Sequence, residues 1–149
     1  MPLKLAVSIV MLLLAVPAFA ETHYVKMLNR NETGGMVFEP DYLEIMPGDT
    51  VKYLATHIGH NAASIDGFLP EGATPFKGKI DQEIEVTFTV AGFYGVKCSP
   101  HFDMGMVMLI QVGSEPPSAA LIPDGMPKDA AARFEKIIDR AQANNGTAR

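Results

Sequence analysis

The chain has 149 residues, 48% of them hydrophobic and 19% charged, which is enough to build one core of ordinary domain size and excludes a disordered tail. A formal net charge of −5 excludes nonspecific nucleic-acid binding, which needs a basic surface against the phosphate backbone. With one cysteine, Cys98, a disulfide within the chain is excluded as well.

Met1-Pro2-Leu3-Lys4 gives a short positive start, Leu5 to Val16 is apolar apart from Ser8, and Pro17-Ala18-Phe19-Ala20 places small residues where a signal peptidase reads. Residues 1–20 are therefore expected to be a cleaved signal peptide, with Glu21 as the mature N-terminus and a net charge of −6. The apolar run is too short for about 30 Å of hydrocarbon, so no stable membrane association is expected. Without a twin arginine, export as an unfolded chain that acquires any cofactor afterwards is expected. In an oxidising compartment a lone thiol is protected either by burial or by a metal.

From residue 22 to 112 the chain reads as short strands separated by turn chemistry. Tyr24 to Leu28, Met36 to Phe38, Tyr42 to Ile45 and Val51-Tyr53-Ala55 are candidates, the last opened by Pro47-Gly48-Asp49. Ile84, Val86, Phe88 and Val90 alternate with polar residues, the period of a half-buried strand. Phe93 to Cys98 follows, and Met106 to Val112 is apolar throughout, as in a strand buried on both faces. The pattern predicts a mainly β fold, a Greek-key sandwich of about eight strands over residues 21–113. Residues 114–149 form a C-terminal extension of one or two helices. Lys128 to Ala143 is the main one, with Ala130, Phe134, Ile137, Ile138 and Ala141 on one face and Asp129 spaced to pair with Arg133. This helix is expected to pack as a lid on one end of the sandwich.

The chemistry concentrates in Val96-Lys97-Cys98-Ser99-Pro100-His101-Phe102-Asp103-Met104-Gly105-Met106, a loop between two predicted strands. Cys98 and His101 share its tight turn, and Met106 returns where the next strand begins. His60, far upstream at the mouth of another strand, is followed by Asn61. Two imidazoles, a thiolate and a thioether match a trigonal His₂Cys copper site with a weak axial Met. Soft sulfur favours Cu(I) while imidazole serves both oxidation states, so such a set suits one-electron exchange with little rearrangement. Zinc is the competing metal, but neither its structural nor its catalytic sites use a thioether. Asn61 is placed to donate near the sulfur or to tie the two ligand loops together. His23 and His57 read as non-ligands.

Enzyme readings find little support. No nucleophile elbow is present, Gly34-Gly35 is too short for a phosphate loop, and Asp81, Glu83 and Glu85 read as a solvated strand face. Alternatives to electron transfer are copper delivery, for which Met104, Met106 and Met108 speak, and a binding module with a vestigial site.

Met36-Val37-Phe38-Glu39-Pro40, Pro47-Gly48-Asp49-Thr50-Val51, Gly59-His60-Asn61, Tyr94-Gly95-Val96-Lys97-Cys98 and Met104-Gly105-Met106-Val107 resemble the signature of the type 1 blue-copper cupredoxins, and within them the pseudoazurin family. The resemblance covers about Glu21 to Ala143. It implies one copper per chain held by His60, Cys98, His101 and Met106, with Asn61 and Pro100 shaping the loop and Met36 near the His101 ring. It further implies a monomeric periplasmic electron shuttle, not an enzyme, whose partner is a copper nitrite reductase or a different periplasmic reductase. Docking by resemblance uses an apolar patch around the exposed histidine with basic residues around it. Arg30, Lys77 and Lys97 match that ring, and Ile58 stands where family members often carry lysine.

Overall fold

A computed structural model describes residues 19–147; most of the expected signal peptide, residues 1–18, and residues 148–149 lie outside the described residues. Eight strands form two four-stranded sheets. The first contains β1 (Thr22–Asn31), β2 (Gly34–Glu39), β4 (Thr50–Leu54) and β6 (Ile84–Thr87), in the order β2-β1-β4-β6. The second contains β3 (Tyr42–Ile45), β5 (Ala63–Ser64), β7 (Gly92–Lys97) and β8 (Val107–Val112), in the order β3-β8-β7-β5. Within each sheet one pairing is parallel, β1 with β4 and β3 with β8, because the chain changes sheets between those strands.

Alternation sets which side chains meet between the sheets. Val25 and Met27 of β1, Val51 and Tyr53 of β4, and Tyr94 and Val96 of β7 are buried in one core with Cys98, Met106, Met108 and Ile110. The expected two-sided burial of the last strand is observed. Met108 and Ile110 face that core, while Val107 and Leu109 face a second cluster with Ala130, Phe134, Ile137 and Ile138. These come from α1 (Lys128–Thr147), the one α-helix among the described residues, whose apolar face is the one expected. The helix packs on β8 and the loop before it, so it covers the outer face of the second sheet instead of one end of the sandwich. A second C-terminal helix reduces to one 3-10 turn, Ala119–Leu121.

Two local readings are corrected. The strand from Ile84 stops at Thr87; Phe88 is buried, but its backbone bonds across to Gly48 and Asp49 at 2.7 and 2.9 Å, outside the ladder. Arg133 does not serve Asp129. It reaches to β2 and donates to the carbonyl oxygens of Gly35 and Met36 at 3.2 and 3.4 Å. Arg140 donates to the buried Asp41 carboxylate at 2.7 Å, so two arginines tie one helix to the start of β2 and to the bend just before β3.

Candidate metal centre

Cys98 follows directly on β7, and Pro100 then helps to open a 3-10 turn, Ser99–Met104. Gly105, at φ 83°, ends that turn in the left-handed region, and a Cβ there would meet the Asp129 carbonyl oxygen of α1 at 2.8 Å. Only glycine satisfies both conditions. The loop closes on itself through backbone bonds from Cys98 N to Met106 O at 3.0 Å, Met106 N to His101 O at 3.1 Å, and His101 N to Cys98 O at 3.2 Å. This lattice fixes Cys98, His101 and Met106 relative to one another before any side chain is considered.

His60 enters from the loop between β4 and β5. Its Nδ1 lies 3.1 Å from His101 Nδ1 and 3.7 Å from Cys98 Sγ, and His101 Nδ1 lies 3.5 Å from the same sulfur. One donor atom from each residue falls within 4.8 Å of the others. The other nitrogen of His60, Nε2, sits 2.7 Å from Asn29 Oδ1. An amide oxygen only accepts, so Nε2 carries the proton and Nδ1 presents its lone pair to the cluster. A single ion about 2.0 Å from each nitrogen and about 2.3 Å from the sulfur reproduces the three separations with angles of about 100–120°. The donor set therefore fits one soft or borderline metal ion, and Met106, fully buried in the same core cluster as Cys98, carries a thioether, a ligand type that suits copper better than zinc.

The electrostatics suit the same occupant. Burial, followed by the neighbouring His101 and His57, holds His60 below the usual imidazole range, while Asp81 works the other way; His60 is thus neutral and a competent ligand. Burial pushes the Cys98 thiol up, against backbone hydrogen bonds from Asn61 and His101. A bound cation reverses that balance and favours thiolate. His60, Cys98 and Met106 are fully buried and His101 is part-exposed, so His101 is the member of the set that opens to the surface.

Asn61 is buried and ties the loops as one of its two expected roles has it. Its side chain accepts from Ser99 N at 2.7 Å and donates to Ser99 Oγ at 3.1 Å and Gly78 O at 2.9 Å. Met36, at φ 50°, packs against the core cluster that holds Cys98 and Met106. His23 bonds Asp49 at 3.0 Å and His57 accepts from Asn29 N at 2.9 Å, so neither joins the cluster. Lys77 and Lys97 come together, because both pair with Ala63 and line one surface cleft of about 360 Å³ with Ser99. Lys97 Nζ stands 4.9 Å over the Phe102 ring. Ile58 is 82% exposed on the His60 loop, and Arg30 is exposed on β1, the strand that pairs with β4 and carries Asn29. The sequence reading missed Asn29 entirely and placed Asp81 on a solvated strand face. Asp81 instead lies in the turn before β6, and accepts from Gly59 N at 2.6 Å.

Two stacked sheets with a convergent His60–Cys98–His101 set between the ends of β7 and β8, and Met106 just before β8, define a cupredoxin. Residues 25–113 match the family described as copper binding proteins, plastocyanin/azurin family. The chain is 46% identical over 140 residues to a pseudoazurin of Paracoccus pantotrophus, covering 93% of this chain and 95% of that one. A pseudoazurin of Methylorubrum extorquens is 46% identical over 99 residues, 66% of this chain and 67% of its own. The solved pseudoazurin of Methylobacterium extorquens AM1 superposes with a TM-score of 0.73 at 37% identity, covering 80% of this chain and 98% of that chain. The chain belongs to the plastocyanin/azurin family of copper-binding proteins and, within it, to the pseudoazurins. It is a copper electron carrier of the cupredoxin class and not an enzyme.

Proposed function

We propose that His60, Cys98, His101 and Met106 hold the copper, and that the chain is cleaved after Ala20, exported to the periplasm and there passes single electrons to a copper nitrite reductase in denitrification. The observation that carries the reading is the convergence of three donor atoms within 4.8 Å in a buried pocket whose one part-exposed member is His101. Bound copper supplies a Cu(I)/Cu(II) couple. Cys98 would hold the copper as a thiolate, its proton released to solvent on binding, and His60 is held as the Nδ1 donor by Asn29. The Cys98–Met106 backbone lattice keeps the donors from moving when charge changes, which lowers the reorganisation an electron must wait for. Copper delivery is less well supported, since three of the four donors are fully buried and locked by backbone bonds.

The exposed edge of His101 is the natural exit, and Ile58, Lys77 and Lys97 flank the loops that present it. Ile58 contributes apolar contact, and the lysines steer an acidic partner, acting mainly on the association rate. Arg30, next to the Asn29 that bonds His60, adds to the same attraction. Stopped-flow electron transfer to a copper nitrite reductase tests this across a salt series. Lys97→Glu is expected to lower the second-order rate several-fold at low salt, with the difference fading as the screening length falls to about 8 Å. Ile58→Lys is expected to steepen the salt dependence. Rates untouched by both substitutions would remove this face as the docking surface.

A further inference from the structure

The second half of the loop that carries His60 is gripped by one short turn. Gly59 N donates to Asp81 Oδ1 at 2.6 Å, and Asp81 N donates to His60 O at 2.8 Å. Asn61 Nδ2 donates to Gly78 O at 2.9 Å, and Gly78 N donates to Ala62 O at 2.9 Å. Each of four consecutive residues, Gly59 to Ala62, therefore has a hydrogen bond to the 78–81 turn. The turn is itself closed by Gln82 N to Lys79 O at 3.1 Å and Lys79 N to Gln82 Oε1 at 2.9 Å, which makes it a preformed cradle.

Asp81 is the unusual member. It adopts φ 63°, a left-handed conformation that costs an L-residue energy and that Asp and Asn tolerate better than most. That conformation is what lets its amide and its carboxylate reach the two sides of the same short segment. Nothing about a tight turn requires a charge here, since Asn would serve the conformation and the Gly59 bond equally. The carboxylate is thus an additional feature, one full negative charge a single hydrogen bond away from the backbone of a buried metal-set histidine.

We infer that Asp81 is a positioning residue for His60: its side chain and amide clamp the Gly59–His60 backbone, and its charge biases a metal bound at His60 toward the more positive oxidation state. The inference rests on the reading of His60 as a copper ligand. With the ring held at Nε2 by Asn29 and the backbone held on both sides by Asp81, His60 keeps its Nδ1 direction through a change of metal charge. A nearby negative charge stabilises Cu(II) over Cu(I), so it lowers the reduction potential.

Two substitutions separate the clamp from the charge. Asp81→Asn keeps an acceptor for Gly59 N and tolerates the backbone conformation, but removes the charge. The expected result is an unchanged visible spectrum and a higher potential, equivalent to an about three- to tenfold shift of relative affinity toward Cu(I); tenfold is about 59 mV for one electron. Asp81→Gly relieves the conformational cost but deletes the side-chain bond. In the apoprotein it is expected to raise the Gly59 amide exchange rate at least tenfold, and in the copper form to lower Cu(II) affinity several-fold. A potential unchanged in Asp81→Asn overturns the charge role, and unchanged Gly59 exchange in Asp81→Gly overturns the clamp. If the wild-type chain with added Cu(II) shows no blue band, the ligand reading itself fails, and the Gly59 exchange measurement still decides the clamp.

Discussion

Replacing Asn29 is the sharpest single perturbation of the metal set that leaves every donor in place. Asn29 Oδ1 accepts from the fully buried His60 ring at 2.7 Å, and among the described residues that nitrogen has no second acceptor. In Asn29→Leu the Nε2 proton is left in an apolar surrounding, at a cost of about 1–3 kcal/mol. Because Asn29 is itself exposed, Asn29→Ala lets water take the place of the amide oxygen, and the cost falls toward about 1 kcal/mol. For a domain of this size each kcal/mol moves the melting temperature by about 4 °C. The apoproteins should therefore melt lower than wild type by about 4 °C for alanine and by up to about 12 °C for leucine. Copper affinity should fall together with this, by about 10- to 100-fold, the usual penalty for losing the outer partner of a ligating histidine. Thermal melts of the apoproteins and competition titrations with a Cu(I) chelator give the two numbers. Equal melting temperatures and equal affinity in Asn29→Leu would refute the account of how His60 is held.

Tyr53 tests the core: its hydroxyl is fully buried without a hydrogen-bond partner among the described residues, so Tyr53→Phe should be neutral or stabilising by about 1 kcal/mol in a denaturant melt. Gly95 has no room for a side chain, since a Cβ there would overlap the Phe68 ring that packs on Phe134; Gly95→Ala should cost about 1–3 kcal/mol by the same measurement. Asp49 accepts from Glu21 N, Met46 N and His23 Nε2, and the bond from Glu21 leads the causes that hold its carboxyl below the ordinary range. A lowered carboxyl pKa means the unfolded chain binds the proton more readily. The stability Asp49 contributes is thus fully present above about pH 4 and lost as pH falls through the folded value. Asp49→Asn should flatten the acid limb of a stability–pH curve, and an unchanged limb would count against this assignment.

The donor set was legible because three of its members lie in one loop with a spacing that copper chemistry explains, and because Cys98 had no disulfide partner. Strand positions were legible where apolar residues alternate or run together, as in β4 and β8, and the helix where its face repeats. What holds His60 was not legible. Asn29 reaches it from β1 and Asp81 from the turn before β6, and those neighbours exist only because β1 pairs in parallel with β4 and the 78–81 turn lies alongside the ligand loop. Asp81 even sits next to an alternating stretch that reads as a polar strand face, and only its positive φ distinguishes it. β5, two residues long, carries no periodicity to detect. Arg133 shows the same limit from the other side: local spacing offered Asp129, but the tertiary fold offered two carbonyl oxygens of β2.

Titration of the chain from Glu21 onward with Cu(II), followed by visible absorption and cyclic voltammetry, addresses the central claim most directly. Binding should saturate at one copper per chain with an intense blue thiolate-to-copper band and a reversible one-electron wave, and Cys98→Ser should abolish the band in a protein that still folds. A wild-type titration with no blue band, or a band that survives Cys98→Ser, would contradict the assignment of the His60–Cys98–His101–Met106 centre.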